Sequence, residues 1–310
     1  MNIWDFVRTK LKNSKQLVLM VVIDHSGSSP GRKGFKMAVA EDGELSGSIG
    51  GGVMEYRLVE QARKLFDAPQ KPFIKRQDHH AEDTEDSSGL ICSGSQVVAF
   101  YLLNETSLPL AEKLAEAENG HLDYNETGIH FCETPLQQEH KTKIQEHNWT
   151  YAEQHGYRNF LYLFGAGHVS VAVSRLFRQL GFYITVFDNR HEELATFKNN
   201  DFAHARQIID YKQAAGYVPE GDHVYVAIMT FAHKNDSIVL EQLLNKKIKY
   251  LGMMGSDDKV VSVFAYLESK GISKQSLEKV DAPIGLSIHS QTPDEIAVSI
   301  AAKVIQVKNG

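Results

Sequence analysis

Residues 160 to 190, FLYLFGAGHVSVAVSRLFRQLGFYITVFDNR, constrain this chain more than any other stretch. An apolar run, a glycine turn, a helix-period segment and a second apolar run ending in Asp188 follow in the order of a Rossmann β-α-β unit. Gly165 suits the tight turn. Gly167 lets backbone approach a phosphate, and the helix opening near His168 aims its free N–H groups at the anion. Asp188 stands 21 residues after Gly167, where a carboxylate accepts hydrogen bonds from a ribose. Ser170 takes the third glycine's place. The set predicts a nucleotide or phosphate pocket rather than a turn of structural use alone.

The rest of the chain allows two domains. At 310 residues it can bury a core in each. A net charge of -6 argues against nucleic acid or a membrane surface, because no basic excess exists to neutralise phosphates. No apolar run reaches the roughly 20 residues that span a bilayer. The N-terminus reads as a short amphipathic helix and lacks a signal-peptide core. Cys92 and Cys132 are the only cysteines. Without an export signal they are expected as free thiols in a reducing cytoplasm.

From Phe160 onward strands are expected at 160–164, 182–187, 206–210, 223–229, 248–252 and 284–288. Helices are expected at 168–180, 234–245 and 256–270. Thr292-Pro293-Asp294-Glu295 starts a closing helix, with a threonine cap, proline in the first turn and acids behind it. The fold class is therefore α/β. A C-terminal Rossmann-like doubly wound parallel sheet (157–310) follows a smaller N-terminal α+β domain (1–110) and a connecting segment (111–156). In the N-terminal domain, 16–24, 35–40, 71–76 and 92–103 read as strands, and the stretch from Val53 to Phe66 as a helix. Little in 104–156 has a period beyond a helix at PLAEKLAEAEN. The segment around His79 and His80 reads as an acidic loop rather than a metal site.

A second glycine cluster, Gly50-Gly51-Gly52, precedes the N-terminal helix. It suits either a flexible turn or a nest of N–H groups that binds an anion. Ser28, Ser29 and Arg32 lie in the loop before the second strand and supply hydroxyls and a cation that can clamp a phosphate. Thr230, His233 and Asp236 fall just past the fourth Rossmann strand, at the carboxyl edge where open sheets place ligands.

GSSPGRKGFKM, then EDGELSGSIGGGVMEYRLVEQAR, resembles the N-terminal signature of the XdhC/CoxI family, the accessory proteins of xanthine dehydrogenase and related molybdenum hydroxylases. LFGAGHVSVAV, VFDNR, MTFAHKNDSIVLEQLL, YLGMMGS and APIGLSIHSQTPDEIAVSI resemble further family blocks in family order. The chain departs from the pattern with Gly31 directly after SSP, Phe231 in place of one histidine, Cys92-Ser93-Gly94 in place of Cys-Gly-Gly, and Ser287 in place of an acid.

The resemblance implies a chaperone that binds the molybdenum cofactor, supports replacement of an oxo ligand by sulfido, and delivers the cofactor to a xanthine dehydrogenase-type apoenzyme. A cysteine desulfurase-type sulfur donor and a homodimeric, cytoplasmic protein go with it. The anionic tail would meet Gly165, Gly167 and His168, and the nest at Gly50, Gly51 and Gly52. Asp188 or Asn189 would meet the pterin edge, and Cys92 would be the thiolate near the metal. Cys132 has no supporting context. The cofactor would lie in a cleft between the halves. Two other readings stay open: an NAD-dependent oxidoreductase, favoured by Asp188, and a cofactor-free docking partner of a molybdoenzyme.

Overall fold

The computed structural model describes residues 3–78, 94–117, 119–134, 136, 140–145, 148–190 and 194–310. By its contacts the chain divides into two units, Met1–Gly156 and Tyr157–Gly310. No helix among the described residues is long and apolar enough to cross a membrane.

The first unit opens with helix α1 (Ile3–Lys12), whose apolar stripe buries Trp4, Phe6, Val7 and Leu11. Strands β1 (Leu17–Gly27), β2 (Lys36–Ala40) and β3 (Leu45–Gly47) follow, then α2 (Gly52–Asp67), β4 (Phe73–Asp78) and β5 (Gly94–Leu103). They form an antiparallel sheet in the order β3-β2-β1-β5-β4. β1 is the centre, and its first seven residues are buried, so both faces carry apolar side chains. One face packs on α2 through Val18, Met20, Leu58 and Leu65, and the other on α1 through Leu17, Leu19 and Leu11.

Residues 111–156, expected to connect the domains, are folded into this unit. Helix α3 (Leu108–Glu116) leads into β6 (Asn119–Asn125), β7 (Gly128–Cys132), β8 (His140–Ile144) and β9 (Trp149–Gly156), an antiparallel sheet ordered β7-β6-β9-β8. Its inner face adds Leu122, Tyr124, Trp149 and Tyr151 to the core around α1. A buried carboxylate joins the two sheets. Glu153 accepts from Tyr124 Oη at 2.6 Å and Tyr151 Oη at 3.1 Å, and Lys36 Nζ on β2 lies 2.6 Å from it. The charge is thus paired and hydrogen-bonded, as burial requires. Burial and the nearby Glu153 push the Tyr124 hydroxyl far above the usual phenol range.

The second unit runs β10 (Asn159–Phe164), α4 (His168–Gln179), β11 (Phe182–Asp188), α5 (Ala195–Lys198), β12 (Ala205–Ile208), α6 (Ala214–Tyr217), β13 (Gly221–Ile228), α7 (His233–Leu243), β14 (Ile248–Met253), α8 (Asp257–Ser269), α9 (Lys274–Leu277) and α10 (Pro293–Asn309). The strands form a five-stranded parallel sheet ordered β12-β11-β10-β13-β14. This is the doubly wound arrangement expected, with the order reversing beside β10. α4 and α10 cover one face, and α7 and α8 the other. Each fully buried core leucine, such as Leu161 or Leu163, contributes about 1.5–3 kcal/mol. The capping box at the start of α10 is complete: Thr292 Oγ1 accepts from Glu295 N, and the Glu295 carboxylate accepts from Thr292 N at 2.9 Å.

One expected strand is absent. Residues 284–288 run irregularly, and only Asp281 bridges to Gly252 on β14. The side chain of Asp281 takes the place of a ladder, accepting from Gly285 N at 2.7 Å and Tyr250 Oη at 2.6 Å. Gly285 has φ +96, and a Cβ there would lie 2.3 Å from Ser299 Oγ. Extended pairing is incompatible with that backbone.

Candidate functional site

In the second unit the site forms around the turn between β10 and α4. Gly165 has φ +108, and a Cβ there would fall 2.3 Å from the Met229 carbonyl oxygen. Its own N–H donates to Phe187 O at 2.7 Å. Only glycine fits. Gly167 differs: it is the N-cap residue of α4 at φ -82, no side chain caps the helix, and a Cβ there would meet nothing within 4 Å. The first amides of α4 therefore have no side-chain partner, with the partial positive charge of a helix N-terminus behind them. His168, the exposed first residue of α4, lines an open cavity of ≈ 430 Å³ with Arg175, Thr196 and Asp294. Ser170, in the third glycine's place, is fully buried, and its Oγ has no hydrogen-bond partner among the described residues.

Asp188 reaches this turn, but in a different role from the one its spacing predicts. It is 1% exposed. Its Oδ2 accepts from Ala166 N at 2.8 Å and Arg190 Nη2 at 2.7 Å. Its Oδ1 accepts from Arg190 N and Arg190 Nε, both at 2.9 Å. Four donors fill a carboxylate's usual lone-pair sites and leave none for a ribose. Burial pushes the Asp188 carboxyl up, but the Arg190 and Ala166 hydrogen bonds more than reverse this and hold it below the usual carboxylate range. Asp188 ties the glycine turn to β11.

What faces outward is Arg190, whose side chain stays 35% exposed. Its guanidinium lies 5.6 Å from the centre of the Phe231 ring, and Phe231 is 84% exposed. Sequence reasoning did not single out Arg190 and noted Phe231 only as a departure. The signal available was the pairing of VFDNR with an aromatic just past the fourth strand.

The expected trio past β13 divides. Asp236 is fully buried and accepts from Thr230 N at 3.0 Å and Thr230 Oγ1 at 2.6 Å, while Lys259 Nζ lies 2.5 Å from its other oxygen. Thr230 and Asp236 are therefore committed to holding the start of α7, because a buried carboxylate must be paired. His233 is exposed at that start and faces α8 in a shallow cavity of ≈ 280 Å³ with Tyr266. Asn189 is exposed beside Arg190.

In the first unit the glycine turn before α2 already holds an anion of its own. Gly50, Gly51 and Gly52 all have positive φ, +131, +73 and +70. Glu55 Oε2 accepts from Ile49 N at 2.8 Å, Gly51 N at 3.0 Å and Ser48 Oγ at 2.7 Å. Burial pushes the Glu55 carboxyl up, and these donors more than reverse it, leaving the group below the usual range. The nest expected to take a ligand binds a carboxylate from the first turn of its own helix. An acid three residues into a helix after a glycine turn was the available signal.

Ser29, expected to face a ligand, is 2% exposed and donates to Gln96 Oε1 at 3.2 Å. Gly31 sits against the same glutamine: a Cβ there would lie 2.1 Å from Gln96 Oε1 and 2.5 Å from Ile49 O. Packing thus explains glycine at that departure from the family pattern. Ser28 and Arg32 are exposed, and Arg32 Nη1 lies 3.4 Å from His25 Nε2. Burial, with the charges of Arg32 and Lys33, lowers the His25 pKa. Cys92, His79 and His80 lie outside the described residues.

Two family models match the chain: residues 161–304 fit the XdhC Rossmann domain, and residues 11–76 fit the XdhC and CoxI family. The chain belongs to the XdhC/CoxI family. This XdhC/CoxI chain is 26% identical over 291 residues to the uncharacterized protein YqeB of Escherichia coli (strain K12), a match covering 93% of the chain and 43% of that longer protein. It is 22% identical over 323 residues to a probable xanthine dehydrogenase subunit of Bacillus subtilis (strain 168), covering 96% of the chain and 95% of that protein. The fold is similar to the crystal structure of a xanthine dehydrogenase from Bacillus halodurans, with a TM-score of 0.72 at 23% identity, covering 100% of this chain and 96% of that one.

Proposed function

We propose that this XdhC/CoxI protein is an accessory protein of a xanthine dehydrogenase-type molybdenum hydroxylase. In this reading it binds the molybdenum cofactor, supports its sulfuration and hands it to the apoenzyme. Family membership and the Bacillus subtilis relative named for xanthine dehydrogenase support the accessory role. The observation that carries the cofactor reading is the uncapped start of α4, where Gly167 leaves room for an anion against free amides.

The residues present fit such a cargo. The amides after Gly167 would hold its phosphate, with His168 beside them. The exposed edge of Arg190 would add charge, and the Phe231 ring offers a face for a flat pterin. When bound, the cofactor supplies a molybdenum centre held by a dithiolene. The chain's own part is to bind the anionic end, orient the ring system and keep water from it. Cys92 is the proposed thiol for the metal end, a cysteine desulfurase-type protein the sulfur donor, and a homodimer the working form. Asp188 has no free lone pair for a ribose, which weighs against the NAD-dependent oxidoreductase.

Titration of purified protein with molybdenum cofactor, with NAD as competitor and Cys92→Ala alongside, tests this. Saturable, near-stoichiometric binding that NAD does not displace is expected. Absence of cofactor binding together with tight NAD binding would overturn the proposal.

A further inference from the structure

On the outer face of the small β-sheet, three side chains of different chemistry converge. His121 and Asp123 are two residues apart on β6 and so share a face, and Cys132 on β7 stands directly opposite His121. His121 Nε2 lies 3.2 Å from Asp123 Oδ2, and Cys132 Sγ lies 3.7 Å from the same oxygen. All three ligand atoms fall within 4.8 Å of one another, and all three residues are half-buried. A tetrahedral ion with bonds of about 2.0–2.3 Å needs ligand atoms roughly 3.3–3.8 Å apart. The Cys132–Asp123 edge at 3.7 Å lies in that range, and the His121–Asp123 edge at 3.2 Å falls just short of it.

The histidine is also oriented for this use. Its Nδ1 lies 2.6 Å from the Thr134 carbonyl oxygen, which can only accept, so Nδ1 donates there and fixes the ring with Nε2 aimed at Asp123 Oδ2. A bound metal would take the place of the proton Nε2 shares with that carboxylate. A backbone carbonyl on the far ring nitrogen is the usual support of a metal-bound histidine. An imidazole, a carboxylate and a thiolate form a borderline-soft set. It suits zinc and its neighbours and excludes magnesium and calcium, which take oxygen alone. His130 stands opposite Asp123 on β7, exposed on the same face, where it can take the fourth position.

We propose that the β6–β7 hairpin binds one divalent transition-metal ion of the zinc type through His121 Nε2, Asp123 Oδ2 and Cys132 Sγ. The site is separate from the Rossmann turn and does not depend on the molybdenum reading. Bound metal would clamp the hairpin, because its ligands come from two strands. Binding releases the Nε2 proton and the thiol proton to solvent as the sulfur becomes a thiolate ligand.

The test is titration of reduced, metal-free protein with cobalt(II), read by absorption, followed by displacement with zinc. One equivalent per chain is expected, with a thiolate-to-cobalt charge-transfer band and tetrahedral d–d bands. Cys92→Ser should keep both, and Cys132→Ser should lose the charge-transfer band. Asp123→Asn and His121→Ala should weaken affinity by about tenfold or more. Zinc should raise the Tm of wild type and not of Cys132→Ser, which keeps the readout usable if a variant is less stable. No saturable cobalt band, or a band that survives Cys132→Ser and vanishes in Cys92→Ser, would overturn the site.

Discussion

At Ser48–Gly52 and again at Gly165–Gly167 the chain turns on glycines and starts a helix, so each place offers amides to an anion. The difference lies in what answers them. In the first, Glu55 reaches back from α2 and takes Ile49 N and Gly51 N. In the second, Asp188 takes only Ala166 N; neither α2 nor α4 has a side chain on its own first amides, so the contrast lies in the turn amides that precede each helix. A helix N-terminus is an anion site only where the protein has left it open. The N-terminal turn already carries the Glu55 carboxylate on two of its loop amides, whereas the Rossmann turn carries Asp188 on one.

The two turns should also differ in tolerance. Gly165→Ala meets both positive φ and the Met229 carbonyl, and should cost about 3 kcal/mol or more. Gly51→Ala meets a glycine-only backbone conformation (φ 73, ψ -175) without the collision, and should cost about 1–3 kcal/mol. Denaturant unfolding measures both, and equal losses would erase the distinction. Asp188→Ala strands Arg190 and the Ala166 amide. A loss of about 2–3 kcal/mol is expected, less than for a fully buried pair because Arg190 is partly exposed.

Glu55→Gln should cost about 1 kcal/mol, the net worth of a weakened hydrogen bond to the turn amides, with pH dependence. The folded-state carboxyl lies below its unfolded value. Its contribution is therefore present above the ordinary glutamate range and lost as pH falls through the folded value. The gap between wild type and variant should close in acid. A gap that persists unchanged there would mean the carboxylate does not hold the turn.

The Rossmann half was legible because its strands are buried on both faces and read as unbroken apolar runs, FLYLF, FYITVF and VYVAIM. The sheet at 119–156 was not. β8 reads HKTKI and is mostly polar, and β6 alternates His121, Leu122, Asp123, Tyr124 over too few residues to stand out. Spacing placed Gly165, Gly167 and Asp188 together correctly. It could not show that Arg190 saturates Asp188, that Glu55 fills the other turn, or that Asp236 is taken by Thr230 and Lys259. Which donor wins a carboxylate depends on three-dimensional competition that no linear distance records. The same holds for Cys132, whose partners lie on the neighbouring strand.

Gly167→Asp is the decisive variant, because it puts a carboxylate on the uncapped start of α4. Gly167 already has extended N-cap backbone and free space, so aspartate should cap α4 and leave stability unchanged or slightly raised. Molybdenum cofactor affinity, measured by titration beside Glu55→Gln, should then fall by about tenfold or more in Gly167→Asp, a loss of about 1.4 kcal/mol. In Glu55→Gln it should stay close to wild type. Unchanged binding in Gly167→Asp, with the fold intact, would contradict the assignment of the anion site to the Rossmann turn.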